Sequence, residues 1–212
     1  MHPRAVDRRE SLHAADIGAA VAAVRIADVP IGVSTGLWIC DGDPDLRQRL
    51  VSGWADLPAA ARPDFASVNV HEPGYAKLTA VLRDAGIGVE AGVWTVTDAE
   101  TIVGPVLRVL VEVMAPPAVG TADRILAVLD ERRVPGPRLL HGEGAQCWPL
   151  VAHAGRLGLP TRIGLEDTLT GPAGQAVGGN ADLVRLALDA WVSAGRPQFS
   201  PEPGPGCGAT TG

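Results

Sequence analysis

The sequence predicts an α/β protein of the (β/α)8 TIM-barrel type, with about six strand–helix units in view. Three observations lead there. Apolar, β-branched runs alternate with segments of 3.6-residue periodicity, the mark of parallel strands joined by helices. Each run has one uniformly apolar face, while the other collects polar and charged groups. An open doubly wound sheet is covered by helices on both faces and reads apolar both ways, whereas the inside of a barrel can be polar at its upper layer.

The elements follow in order. MHPRAVDRRESL has no strand before it, and the first helix is expected from about Ala14. PIGVST (30–35) is the first strand, followed by a helix in DPDLRQRLVSGWADLP with Leu46, Leu50 and Trp54 four apart. FASVNV (65–70) is the second strand. The next helix places Tyr75, Leu78 and Leu82 on one face and ends at Gly86, a C-terminal cap. GVEAGVW (88–94) is the third strand, and Thr97 with Glu100 predicts a capping box for the short helix after it. RVLVEVM (108–114), RLLHGE (138–143) and TRIGLE (161–166) complete the set. Asn180 is the expected cap of a last helix with Leu183, Leu186, Ala187 and Trp191 on its face.

Alternation at period two sends Ser34, Asn69, His71, Glu90, Glu112, His141, Glu143, Arg162 and Glu166 to the polar side. A complete barrel of this type has about 250 residues; this chain has 212, so two units are expected to be missing at its N-terminus. Residues 1–196 form the incomplete barrel domain in this reading. Residues 197–212 are a Pro/Gly-rich tail without periodicity, expected to be disordered.

Composition narrows the function. A net charge of −6 argues against nucleic acid or an anionic membrane as the main partner. Cys40, Cys147 and Cys207 are too scattered for a disulfide framework or a zinc knuckle. No apolar run of 18 residues and no signal-peptide pattern occurs, which predicts a soluble, cytoplasmic protein.

HPR near the start, VNVHEPG, GVEAGVWTVTDAE and above all RIGLEDT after HGEG resemble the β-keto acid cleavage enzymes, typified by 3-keto-5-aminohexanoate cleavage enzyme. The resemblance spans about residues 2–192 in the same order. It implies a zinc-dependent (β/α)8 barrel that converts a 3-keto acid plus acetyl-CoA into acetoacetate plus an acyl-CoA, as a homo-oligomer. It implies Zn2+ as cofactor, held by two histidines of an H-x-H-(V/P)-R strand end and the glutamate of R-x-G-x-E-D. His2 matches the second histidine and Glu166 the glutamate, while the first histidine would precede Met1. Asp167 with Arg162 matches the pair that removes the carbon-2 proton, and Glu90 a pocket position that orients substrate. Ser34, Thr35 and Gly36 match the loop on the substrate carboxylate; Asn69 and His71, at the end of the second strand, are further candidate substrate contacts.

Structural roles stand beside these. Arg162, Glu166 and Asp167 suit an ion-pair cluster, Ser34 and Thr35 a turn cap, and Glu90 and Glu112 a salt link to Arg162. Trp38, Trp94 and Trp148 near strand ends are candidates to wall a pocket, and His141 and Glu143 point inward without an assigned role. Two other classes remain open: a different metal-dependent barrel aldolase or hydrolase, and a non-catalytic remnant that acts through oligomerisation.

Overall fold

A computed structural model describes residues 1–195; the expected tail at 197–212 lies outside the described residues. Five parallel strands form one sheet in the order β1 (Gly32–Ser34), β2 (Phe65–Asn69), β3 (Gly88–Val93), β4 (Arg108–Val113) and β5 (Arg138–Gly142). Helices α1 (Ala14–Val24), α2 (Pro44–Ser52), α3 (Tyr75–Asp84), α4 (Val96–Thr101), α5 (Ala118–Glu131), α6 (Cys147–Leu157) and α7 (Asn180–Gly195) accompany it. Each strand is the spatial neighbour of the next in sequence, the arrangement that βαβ crossovers produce. Among the described residues, no helix is long and apolar enough to cross a membrane.

The core lies between sheet and helices. Val68, Val89, Ala91, Val109, Val111 and Leu140 from the strands meet Leu78, Leu82, Ile125, Leu129 and Leu150 from the helices, all fully or almost fully buried. Burying each such aliphatic side chain contributes about 1.5–3 kcal/mol, which makes this layer the main source of stability.

The sheet is strongly curled. Parallel strands sit about 4.8 Å apart, so the edges of a flat five-stranded sheet would lie about 19 Å from each other. Met1 runs beside β1, its amine donating to the Gly32 carbonyl and its carbonyl accepting from Ser34 N. Pro160, beside β5, accepts from Leu140 N. Yet His2 and Glu166, from those two edges, approach to 3.6 Å. The sheet is an arc whose edges face each other across a cavity.

Three expectations need correction. TRIGLE (161–166) is not a sixth strand: Thr161 hydroxyl donates to the Leu140 carbonyl, but Asp167 N and Thr168 N both turn back to the Gly164 carbonyl. Glycine and the adjoining acidic pair make this a tight turn rather than a ladder. The capping box of α4 is Thr95 with Asp98, two residues earlier than expected, and Asp98 also accepts from Trp94 N. Asn180 does not cap α7; it is the first helical residue, and its side chain accepts from Leu165 N. Asp182 reaches back to Gly178 N instead.

Candidate functional site

The strands are short, and their C-terminal ends all open onto one cavity of about 300 Å³. Ser34 ends β1, Asn69 ends β2, Trp94 follows β3, Met114 follows β4 and Glu143 follows β5; all line this cavity, with Glu112 inside β4. The C-terminal rim of a parallel α/β sheet is where such folds place chemistry, because the loops there vary without disturbing the core.

On one wall the turn after β5 assembles a charged group. Arg162 lies 3.2 Å from Asp167 Oδ1 and 3.0 Å from Glu166 Oε1. Asp167 is only 5% exposed, and its carbonyl accepts from Gly144 N, which ties the turn to the loop after β5. Its Oδ2 is buried without a hydrogen-bond partner. Burial works against the charge on Arg162, but Asp167, Glu166 and Glu112 outweigh it and raise its pKa. The guanidinium is therefore a permanent cation.

Opposite stands His2. Its Nε2 is 3.6 Å from Glu166 Oε2, and its Nδ1 is 3.2 Å from Glu10 Oε1. Glu10 also accepts from Trp38 Nε1 at 2.8 Å. Trp38 folds back over Gly36, where an added Cβ would fall 2.0 Å from the indole; only glycine leaves room for that pose. A carboxylate behind a ligand-type histidine fixes its ring and tautomer. As a zinc site the fit is partial. A catalytic zinc takes three protein ligands, and among the described residues no group of three His, Cys, Asp or Glu gathers around one point. His2 and Glu166 supply a pair.

At the floor, His141 on β5 stands opposite Glu112 on β4 in the strand register. Its Nε2 is 3.0 Å from Glu112 Oε1, and its Nδ1 is 3.6 Å from Asp167 Oδ1. The first approach is out of line and the second too long for a full hydrogen bond. Trp94 Nε1 donates to the other Glu112 oxygen at 2.9 Å. Burial pushes the Glu112 carboxyl up, but His141, Arg162 and the Trp94 N–H more than offset it and hold the pKa below its ordinary value.

The candidates from the sequence thus divide. Arg162, Glu166, Asp167, His2, Ser34, Gly36 and Asn69 meet at the cavity. Thr35 is fully buried, its hydroxyl donating to the Ser67 carbonyl at 2.7 Å. His71 packs on the Trp94 ring, with centroids 4.7 Å apart, and is not part of the cavity lining. Glu90 lies below the cavity, paired with Arg108 and accepting from the Ser67 hydroxyl; its partner is not Arg162. Trp38 and Trp94 wall the cavity as expected, whereas Trp148 donates to the Thr170 carbonyl away from it. Glu10 and the bridging position of His141 had no sequence signal, since both depend on which strands and loops become neighbours.

The sequence profile of a family described as beta-keto acid cleavage enzyme matches residues 118–203. That span contains His141, Glu143, Arg162, Glu166 and Asp167. No curated protein matches the chain.

Proposed function

We propose, on the match of residues 118–203 to the profile of the beta-keto acid cleavage enzyme family, that the chain is a member and converts a 3-keto acid plus acetyl-CoA into acetoacetate plus an acyl-CoA. In this proposal the curled sheet is an arc of a (β/α) barrel and the cavity at its rim is the active site. The observation that carries the reading is the asymmetry of Asp167: Oδ1 is held by Arg162, while Oδ2 is buried and free. A general base needs one such oxygen within reach of the proton it takes.

Asp167 Oδ2 removes a proton from carbon 2 of the keto acid. The C–H electron pair passes into the enolate, and the Arg162 guanidinium offsets the negative charge that develops beside it. The Ser34 hydroxyl, which itself accepts from Gly36 N at 3.3 Å, and the Asn69 amide, one N–H of which is held by Glu72, are the neutral donors on the facing rim, suited to the substrate carboxylate. Carbon 2 then attacks the thioester carbonyl of acetyl-CoA. The CoA thiolate released in that attack takes the acyl group as the bond between carbons 2 and 3 breaks; the electron pair stays on carbon 2, which takes the proton back from Asp167, leaving acetoacetate and acyl-CoA. A zinc ion, where bound, would be held on this chain by His2 and Glu166 and would supply Lewis acidity at the keto oxygen. Glu10 orients His2 for that role.

The test is a panel of 3-keto acids incubated with acetyl-CoA and zinc, followed by mass spectrometry for new acyl-CoA. A new thioester should form only with acetyl-CoA present, and Asp167→Asn should slow it by about 10²–10⁴-fold, the usual worth of a general base. Turnover without acetyl-CoA would point to a barrel aldolase or hydrolase instead.

A further inference from the structure

His141 is 1% exposed and sits between the two carboxylates of the site that are most enclosed. The proposed chemistry uses Asp167 but does not itself call for an imidazole. A buried ring with two polar edges is costly unless those edges meet partners, and neither ring nitrogen of His141 has an aligned hydrogen bond among the described residues. The two carboxylates are what they face.

The position explains the asymmetry of Asp167. Arg162 reaches Oδ1 from the turn that carries Asp167 itself. One donor on one oxygen leaves the plane of a carboxylate free to turn about the Cβ–Cγ bond. His141 Nδ1 approaches the same oxygen from β5, a separate and rigid element. At its other edge the ring faces Glu112 on β4 at 3.0 Å, and Glu112 accepts from Trp94 Nε1. A line therefore runs from Trp94 through Glu112 and His141 to Asp167.

We infer that His141 is a positioning residue: through Nδ1 it sets the plane of the Asp167 carboxylate so that Oδ2 faces carbon 2 of the substrate, with Glu112 holding the ring from Nε2. The inference rests on the reading of Asp167 as the base. It gives Glu112 a task within the pocket, as the anchor of that ring. The two edges of the ring do separate jobs, so isosteric replacements can separate them. An asparagine amide occupies the place of Nδ1, and a glutamine amide reaches the place of Nε2.

The experiment is deuterium exchange at carbon 2 of acetoacetate in D2O, without acetyl-CoA, followed by proton NMR. Acetoacetate is itself a 3-keto acid and a product of the proposed reaction, so the probe does not depend on the natural substrate. Wild type, Asp167→Asn, His141→Asn and His141→Gln are compared, with thermal melting of each. The expected result is that H141Q loses at least about tenfold in maximal exchange rate with half-saturation within about twofold, as when only the orientation of the base is lost. H141N should keep most of the wild-type rate. A merely structural histidine would lower the melting temperature of both variants without this Asn–Gln contrast in rate. Wild-type exchange with both His141 variants unimpaired, or impaired alike, overturns this inference alone. Wild-type exchange that D167N does not reduce, or no exchange at all, removes the base reading and this inference with it.

Discussion

Glu112 shows how one residue's environment decides its state. Desolvation alone would favour the neutral acid, yet the facing imidazole, the Arg162 charge and the indole N–H keep the carboxylate ionised. A carboxyl whose pKa is lowered on folding stabilises the native state above its unfolded value, here about 4.5, and that contribution fades as pH falls through the folded value. Each unit of lowering is worth about 1.4 kcal/mol. Glu112→Gln should therefore be less stable than wild type in urea unfolding at pH 7, and the gap should narrow below about pH 4.5. A gap that stays constant from pH 7 to pH 3.5 would contradict this picture of the pocket floor. The inward direction of Glu112 and of His141 was legible from period-two alternation in RVLVEVM and RLLHGE. That the two stand face to face was not, because register between strands is set by loops and packing rather than by either strand alone.

Among the elements, α2 is tied to the rim by a buried ion pair. Arg47, 1% exposed, pairs with Glu72 and also donates to the carbonyls of Thr35 and Pro73. Glu72 accepts from Leu37 N and from the Asn69 amide. One helix thereby holds the loops after β1 and β2, beside Gly36 and Asn69. Removing one partner of a buried pair leaves an uncompensated charge and costs about 3–5 kcal/mol. Arg47→Ala should lower the unfolding free energy by that amount in urea titration, and Arg47→Met combined with Glu72→Gln should recover part of it. A loss below about 1 kcal/mol for the single variant would mean the pair is not what holds the rim. Element by element, the five strands of the sheet were readable as β-branched runs because each is buried against helices. TRIGLE resembles a sixth because Ile163 and Leu165 alternate with Arg162, Gly164 and Glu166. The alternation is real, but Gly164 accepts the turn hydrogen bonds that end any ladder. The α4 cap is ambiguous in sequence for a related reason. Thr95 and Thr97 both precede an acidic residue at the right spacing, and the end of β3 at Val93 selects the earlier pair.

At the scale of the molecule, a curled parallel sheet brings its two edges within one ion-pair distance, at His2 and Glu166, over a cavity lined from every strand end. The polar face that the sequence assigns to the inside of a barrel does line that cavity at Ser34, Asn69 and Glu112, so the face of the sheet that bounds the cavity is legible in the sequence. Glu90 and His71 share the same parity, but Glu90 lies deeper along β3 and His71 beyond the end of β2; parity fixes the face and not the depth. The central claim is that this cavity makes and breaks carbon–carbon bonds between a keto acid and acetyl-CoA. The most direct measurement supplies the zinc-treated chain with unlabelled acetoacetate and acetyl-CoA carrying 13C at the acetyl carbonyl. Attack by carbon 2 on that carbonyl should move the label to carbon 3 of acetoacetate and release unlabelled acetyl-CoA, with Asp167→Asn suppressing both. Label that remains in acetyl-CoA, or emerges only as acetate, would contradict the account.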